Sequence, residues 1–120
     1  MRLHASALFA AALAAIAGVA AAHPLPRAEA PAANAVLAAS PAEIRITFSE
    51  GLVAAFSGLE LKDGAGKAIA LGPSTVSGAD KKQLAAPLKA KLAPGTYTVS
   101  WHAIGDDTHH VTGHYAFTVR

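Results

Sequence analysis

The 120-residue sequence predicts an all-β protein, a two-sheet antiparallel sandwich. Three observations predict it. Short runs alternate apolar and polar residues at period two. Turn signals recur about every 8–12 residues, the spacing of a sandwich. No segment beyond the N-terminal leader carries the apolar stripe of an amphipathic helix.

The first element is that leader. Arg2 supplies a short positive region, Ala5 to Val19 is apolar apart from Ser6 and Gly18, and Ala20 and Ala22 are the small residues a signal peptidase needs. A transmembrane anchor is the rival reading. The stretch from Ala5 to Ala22 is near the minimum length for a span, is mostly alanine, and no charged stop-transfer flank follows it. Cleavage at Ala22–His23 is therefore expected, giving a signal peptide over 1–22 and one mature domain over 23–120.

From Pro24 to Ser40 the chain is rich in Pro and Ala and reads as extended or irregular, with a turn near Asn34 to Leu37. Glu43 to Phe48 is a strand with Ile44, Ile46 and Phe48 on its buried face. Ser49-Glu50-Gly51 breaks it. Phe56 to Lys62 is the next strand, Asp63-Gly64-Ala65-Gly66 is a hairpin turn, and Lys67 to Leu71 is the return strand. After a break at Gly72-Pro73-Ser74, Lys82 to Leu88 carries a weak strand pattern. Thr96 to Ile104 is the clearest strand, with Tyr97, Val99, Trp101 and Ala103 on one face. His114 to Arg120 is the last, with Tyr115, Phe117 and Val119 on one face. The loop from Gly105 to Gly113 joins these two strands at one end of the sandwich.

Composition narrows the chemistry. Lys and Arg number ten and Asp and Glu eight; without Arg2 they are nine against eight, a net charge of +1 for the mature chain. The lysines are scattered, so nothing points to nucleic acid. Cysteine is absent and Met1 is the only methionine, which removes zinc ribbons, iron–sulfur clusters and sulfur ligation of Cu(I) from the mature chain. Any metal must be held by histidine, carboxylate, an amine or the backbone.

Two segments offer such donors. Cleavage makes His23 the terminus, with a free amine and an imidazole on one residue. Pro24 follows and has no N–H, so the next nitrogen cannot be recruited as a ligand. The second segment is Asp106-Asp107-Thr108-His109-His110. In an extended loop Asp107 and His109 face the same side. An amine, two imidazoles and a carboxylate form a set that suits Cu(II) better than zinc or Cu(I). Taken alone, Asp-x-His is also ordinary loop chemistry.

These segments carry a resemblance. His23-Pro24, Ile46-Thr47-Phe48-Ser49-Glu50, Phe56-Ser57-Gly58, Pro94-Gly95-Thr96-Tyr97-Thr98-Val99-Ser100-Trp101 and Asp107-Thr108-His109-His110-Val111-Thr112-Gly113 follow in the order seen in CopC, the family of exported copper-resistance proteins, over essentially the whole mature chain. The resemblance implies a seven-stranded antiparallel Greek-key β-sandwich of immunoglobulin or cupredoxin type. It implies a periplasmic location and one Cu(II) per chain, held by His23, Asp107 and His109. It places Glu50 beside the copper as a supporting or weak axial group, and it implies an inner-membrane copper transport protein as a possible partner. With the leader removed, no membrane insertion is expected.

The sequence departs from the family in three places. The methionine-rich loop that forms a Cu(I) site in some members is replaced by Lys62-Asp63-Gly64-Ala65-Gly66-Lys67-Ala68. His102 stands where many relatives have arginine after the tryptophan, and His110 where proline is usual. His102 and His114 lie on adjoining strands and read first as a solvated or hydrogen-bonded pair, with a second metal site as the alternative. His110 is expected to point away from His109, with a role as an alternative ligand as its second reading. Trp101 and Tyr97 read as core, and Ser49 and Ser57 show no nucleophile arrangement. The expected function is copper sequestration or carriage without catalysis. The alternatives are a monooxygenase-like enzyme using a terminal histidine and copper, and an interaction module in which the histidines are incidental.

Overall fold

Ile44, Ile46 and Phe48 are buried along one face of an extended segment, as their alternation requires. The computed structural model describes residues 23–120; the expected leader over 1–22, with His4, lies outside the described residues. The strands are β1 (Pro26–Ala30), β2 (Val36–Leu37), β3 (Glu43–Phe48), β4 (Gly58–Lys62), β5 (Ala68–Ile69), β6 (Thr75–Ser77), β7 (Gln83–Pro87), β8 (Gly95–Ile104) and β9 (His110–Val119), with a 3-10 turn at Ala54–Phe56. They form two sheets, one in the order β1-β3-β7-β6 and the other β2-β9-β8-β4-β5.

The described residues thus hold nine strands rather than seven. The excess comes from short edge pairings that were not expected, β2 with two residues and β6 with three, while the return strand expected over Lys67 to Leu71 is β5, cut to two residues. Such pieces are too short to show a period. One pairing is parallel, Val36–Leu37 beside Thr118–Val119. The proline-rich segment expected to be extended or irregular contains β1, an edge strand on β3 with a register shift between Pro26 and Ala28. Proline is tolerated there because an edge strand can forgo one donor. Phe56 lies in the 3-10 turn, 60% exposed, and its strand begins at Gly58.

The larger correction concerns the last hairpin. β8 and β9 pair continuously from Gly95↔Val119 to Ile104↔His110, so β9 begins four residues earlier than its alternation suggested. The connecting loop shrinks to residues 105–109. Thr108 adopts φ 68°, the left-handed conformation that lets so short a loop close.

The core lies between the sheets. β3 and β7 contribute Ile44, Ile46, Phe48, Leu84 and Ala86. β4, β8 and β9 contribute Leu59, Leu61, Tyr97, Val99, Trp101, Ala103, Tyr115, Phe117 and Val119. Phe48 meets the Trp101 ring edge-on at 5.1 Å, joining the sheets at the end that carries the loop. Gly113 lies opposite Trp101 in the ladder, and a Cβ there would sit 2.3 Å from the indole, so only glycine accommodates the ring.

Candidate metal centre

The loop from 105 to 109 is built by its own backbone. Thr108 N–H donates to Gly105 O at 2.9 Å, Gly105 N–H to His109 O at 3.2 Å, and Asp106 N–H to Gly51 O at 3.2 Å. Asp107 and His109 meet here, but not because the segment is extended. The turn at Thr108 brings His109 N–H to Asp107 Oδ1 at 3.2 Å and His109 Nδ1 to Asp107 Oδ2 at 2.8 Å. This bond is the main reason the Asp107 pKa is lowered. A carboxylate on one ring nitrogen is the arrangement that orients a histidine in metal sites.

The segment at residues 23–25 reaches this loop because Ser49 holds it. Ser49 N–H donates to Leu25 O at 2.8 Å, and Leu25 N–H donates to Ser49 Oγ at 3.0 Å. The Ser49 hydroxyl donates to His23 O at 3.3 Å, and Pro24 is buried. His23, itself exposed, then lies with its ring centroid 4.5 Å from that of His109, the planes inclined by 59°. The two segments, more than eighty residues apart in sequence, therefore meet.

Glu50 follows Ser49 and turns inward. Its Oε1 is buried with no hydrogen-bond partner among the described residues. Burial raises its pKa, and the neighbouring Asp107 charge raises it further. Gly105 makes room for it, since a Cβ there would lie 1.9 Å from Glu50 Oε1 and 3.0 Å from Asp107 Oδ1. Asp106 adds a third carboxylate, with its Oδ2 2.6 Å from where a Cβ on Gly51 would sit. An orphaned carboxylate oxygen near Asp107, Asp106 and His109, with the His23 ring against His109, offers the nitrogen and oxygen chemistry that suits a borderline divalent cation. Among the described residues no three His, Asp or Glu side chains are already arranged to hold an ion. Both Asp107 oxygens are engaged by His109, although a carboxylate has further lone pairs to offer.

The remaining histidines lie elsewhere. His110 opens β9 opposite Ile104 and is exposed. His102 and His114 are exposed on the outer face of the same hairpin. They do not pair directly: His102 opposes Thr112 and His114 opposes Ser100, so the two are diagonal neighbours.

Sequence reasoning missed the tethers. Ser57 is buried, donates to Val53 O at 2.9 Å and accepts from Ile104 N–H at 3.2 Å, fixing the segment after Glu50 to the end of β8. Ser49 does the same for residues 23–25. Both sit in the Phe-Ser motifs, which supplied the signal, but a serine considered only as a nucleophile hides its use as a clamp.

The fold and this end of it define a class, a small β-sandwich that gathers histidines and carboxylates around the loop of its longest hairpin. The chain belongs to the CopC family: its residues 27–120 match the CopC domain. It is 43% identical over 90 residues to Protein YobA of Escherichia coli strain K12, covering 75% of this chain and 73% of that protein. It is 36% identical over 105 residues to Copper resistance protein C of Escherichia coli, covering 82% of each. Among solved structures it is similar to CopC from Methylosinus trichosporium OB3b, with a TM-score of 0.75 and 29% identity over 81% of this chain and 93% of that one. It is also similar to PcoC, a methionine-rich copper resistance protein from Escherichia coli, with a TM-score of 0.73 and 36% identity over 82% of this chain and 100% of that one.

Proposed function

We propose that this chain is an exported protein that binds one Cu(II) ion and sequesters or carries it in the periplasm, contributing to copper resistance. The observation that carries the reading is the meeting of His23 with His109, whose Nδ1 is held by Asp107. Removal of residues 1–22 frees the His23 amine, which chelates together with its own ring. Pro24 denies the ion a third nitrogen from the backbone that follows His23, so coordination is completed by the His109 ring and an Asp107 oxygen. Glu50 and Asp106 supply negative charge close by without filling the nitrogen positions.

The donors are all nitrogen and oxygen, which favours Cu(II) over Cu(I). Here the chain differs from the methionine-rich PcoC, since its one methionine is Met1. Kinship with copper-resistance proteins also favours binding over catalysis and sets aside the monooxygenase-like alternative.

The test is competition for Cu(II) against a chromophoric chelator, with electron paramagnetic resonance of the loaded protein. His109→Ala and Asp107→Ala should each weaken binding about tenfold or more, because even residues that only orient ligands are worth about 10–100-fold. Both should alter the spectrum. An unchanged affinity and spectrum in His109→Ala, or a larger loss in His110→Ala, contradicts the assignment.

A further inference from the structure

We propose that the outer face of the β4-β8-β9 sheet carries a second site for a borderline divalent cation, made by His102, His114 and Glu60. It is independent of the loop site and rests on strand register. Glu60 pairs with Ser100, and Ser100 pairs with His114, so the three form one row across three strands. His102 lies two residues along β8 from Ser100 and faces the same side. It is therefore a diagonal neighbour of both Glu60 and His114, at about 7–8 Å between backbones, within reach of long side chains.

Ser100 at the centre is small, and the surface there dips into an open depression of about 650 Å³ lined by Glu60, Ser100, His102, Thr112 and His114 together with Trp101 and Gly113. Gly58, opposite His102, gives that imidazole its place: a Cβ on Gly58 would stand 2.8 Å from His102 Cε1 and 3.2 Å from its Nε2.

Two imidazoles and a carboxylate on adjoining strands suit Zn(II) or Cu(II), with water completing the shell. The three donors do not converge in the rotamers observed. All three residues are exposed, and cation binding here requires their side chains to turn over Ser100.

The experiment is a Zn(II) titration of the unaltered chain, followed through residue-resolved NMR signals of the histidine rings. The ring signals of His102 and His114 should move together along one saturating curve. His102→Ala or His114→Ala should shift the remaining partner's curve by about tenfold or more, and Glu60→Gln should weaken both. Because His23 and His109 are read separately in the same spectra, failure of the loop site leaves this result intact. The proposal is overturned by no saturable response at these rings, by a response at one histidine alone, or by a curve indifferent to loss of its partner.

Discussion

At Glu50 two effects act in the same direction. Burial first, and the Asp107 charge second, make its carboxyl harder to ionise in the folded chain than in the unfolded one. Between those two pKa values the folded chain holds more protons, so this residue's contribution to stability falls as pH rises through that window. Glu50→Gln removes the penalty. Its thermal midpoint should exceed that of the parent chain near neutrality, with the gap closing in acid below the ordinary glutamate range; a gap independent of pH would contradict this. Asp107 works oppositely: its lowered pKa means that its bond to His109 stabilises the loop above the ordinary aspartate range and is lost as pH falls. Two tyrosines extend the residue-scale logic. Tyr97 OH donates to Ala93 O at 2.6 Å, whereas Tyr115 OH is buried with no partner among the described residues. In denaturant unfolding, Tyr97→Phe should cost about 1 kcal/mol and Tyr115→Phe nothing, since removing a hydroxyl buried without a partner also removes its desolvation cost. Equal losses would refute the distinction.

The elements that matter for the site are the hairpin of β8 and β9 and the strap that leads into β1. The hairpin was legible: Tyr97, Val99, Trp101 and Ala103 alternate, and Asp107 and His109 lie where it turns. Its length was not, because Val111 and Gly113 face inward without forming a recognisable apolar run, and alternation alone starts β9 at His114. The strap was legible as chemistry, from His23 and Pro24, but not as geometry. Proline-rich sequence gives no period, and only the ladder to Ser49 shows that β1 aims His23 at the loop. Ser49→Ala tests that ladder. It should cost about 1 kcal/mol of strap stability, and a penalty of that size corresponds to weaker Cu(II) binding by up to about tenfold. Competition titration beside the parent chain checks it; affinity unchanged would mean that His23 is placed without the strap.

Over the whole molecule, the two-sheet all-β architecture could be read from β3, β4, β8 and β9, whose inward residues form most of the core. The return strand β5 could be read from the turn before it, but β2 and β6 could not, because they owe their conformation to neighbours rather than to their own sequence. The proposed copper site is likewise a property of the whole fold, since it needs residue 23 and residues 107–109 at one end of the sandwich. It also needs the chain to begin at His23, where an amine rather than an amide is present. The most direct measurement compares Cu(II) affinity and electron paramagnetic resonance for two forms, one starting at His23 and one carrying a single extra residue before it. The extension turns the amine into an amide and leaves the ring. The account predicts a loss of about tenfold or more and an altered spectrum, with the thermal midpoint unchanged. Equal affinity and identical spectra in the two forms would contradict it.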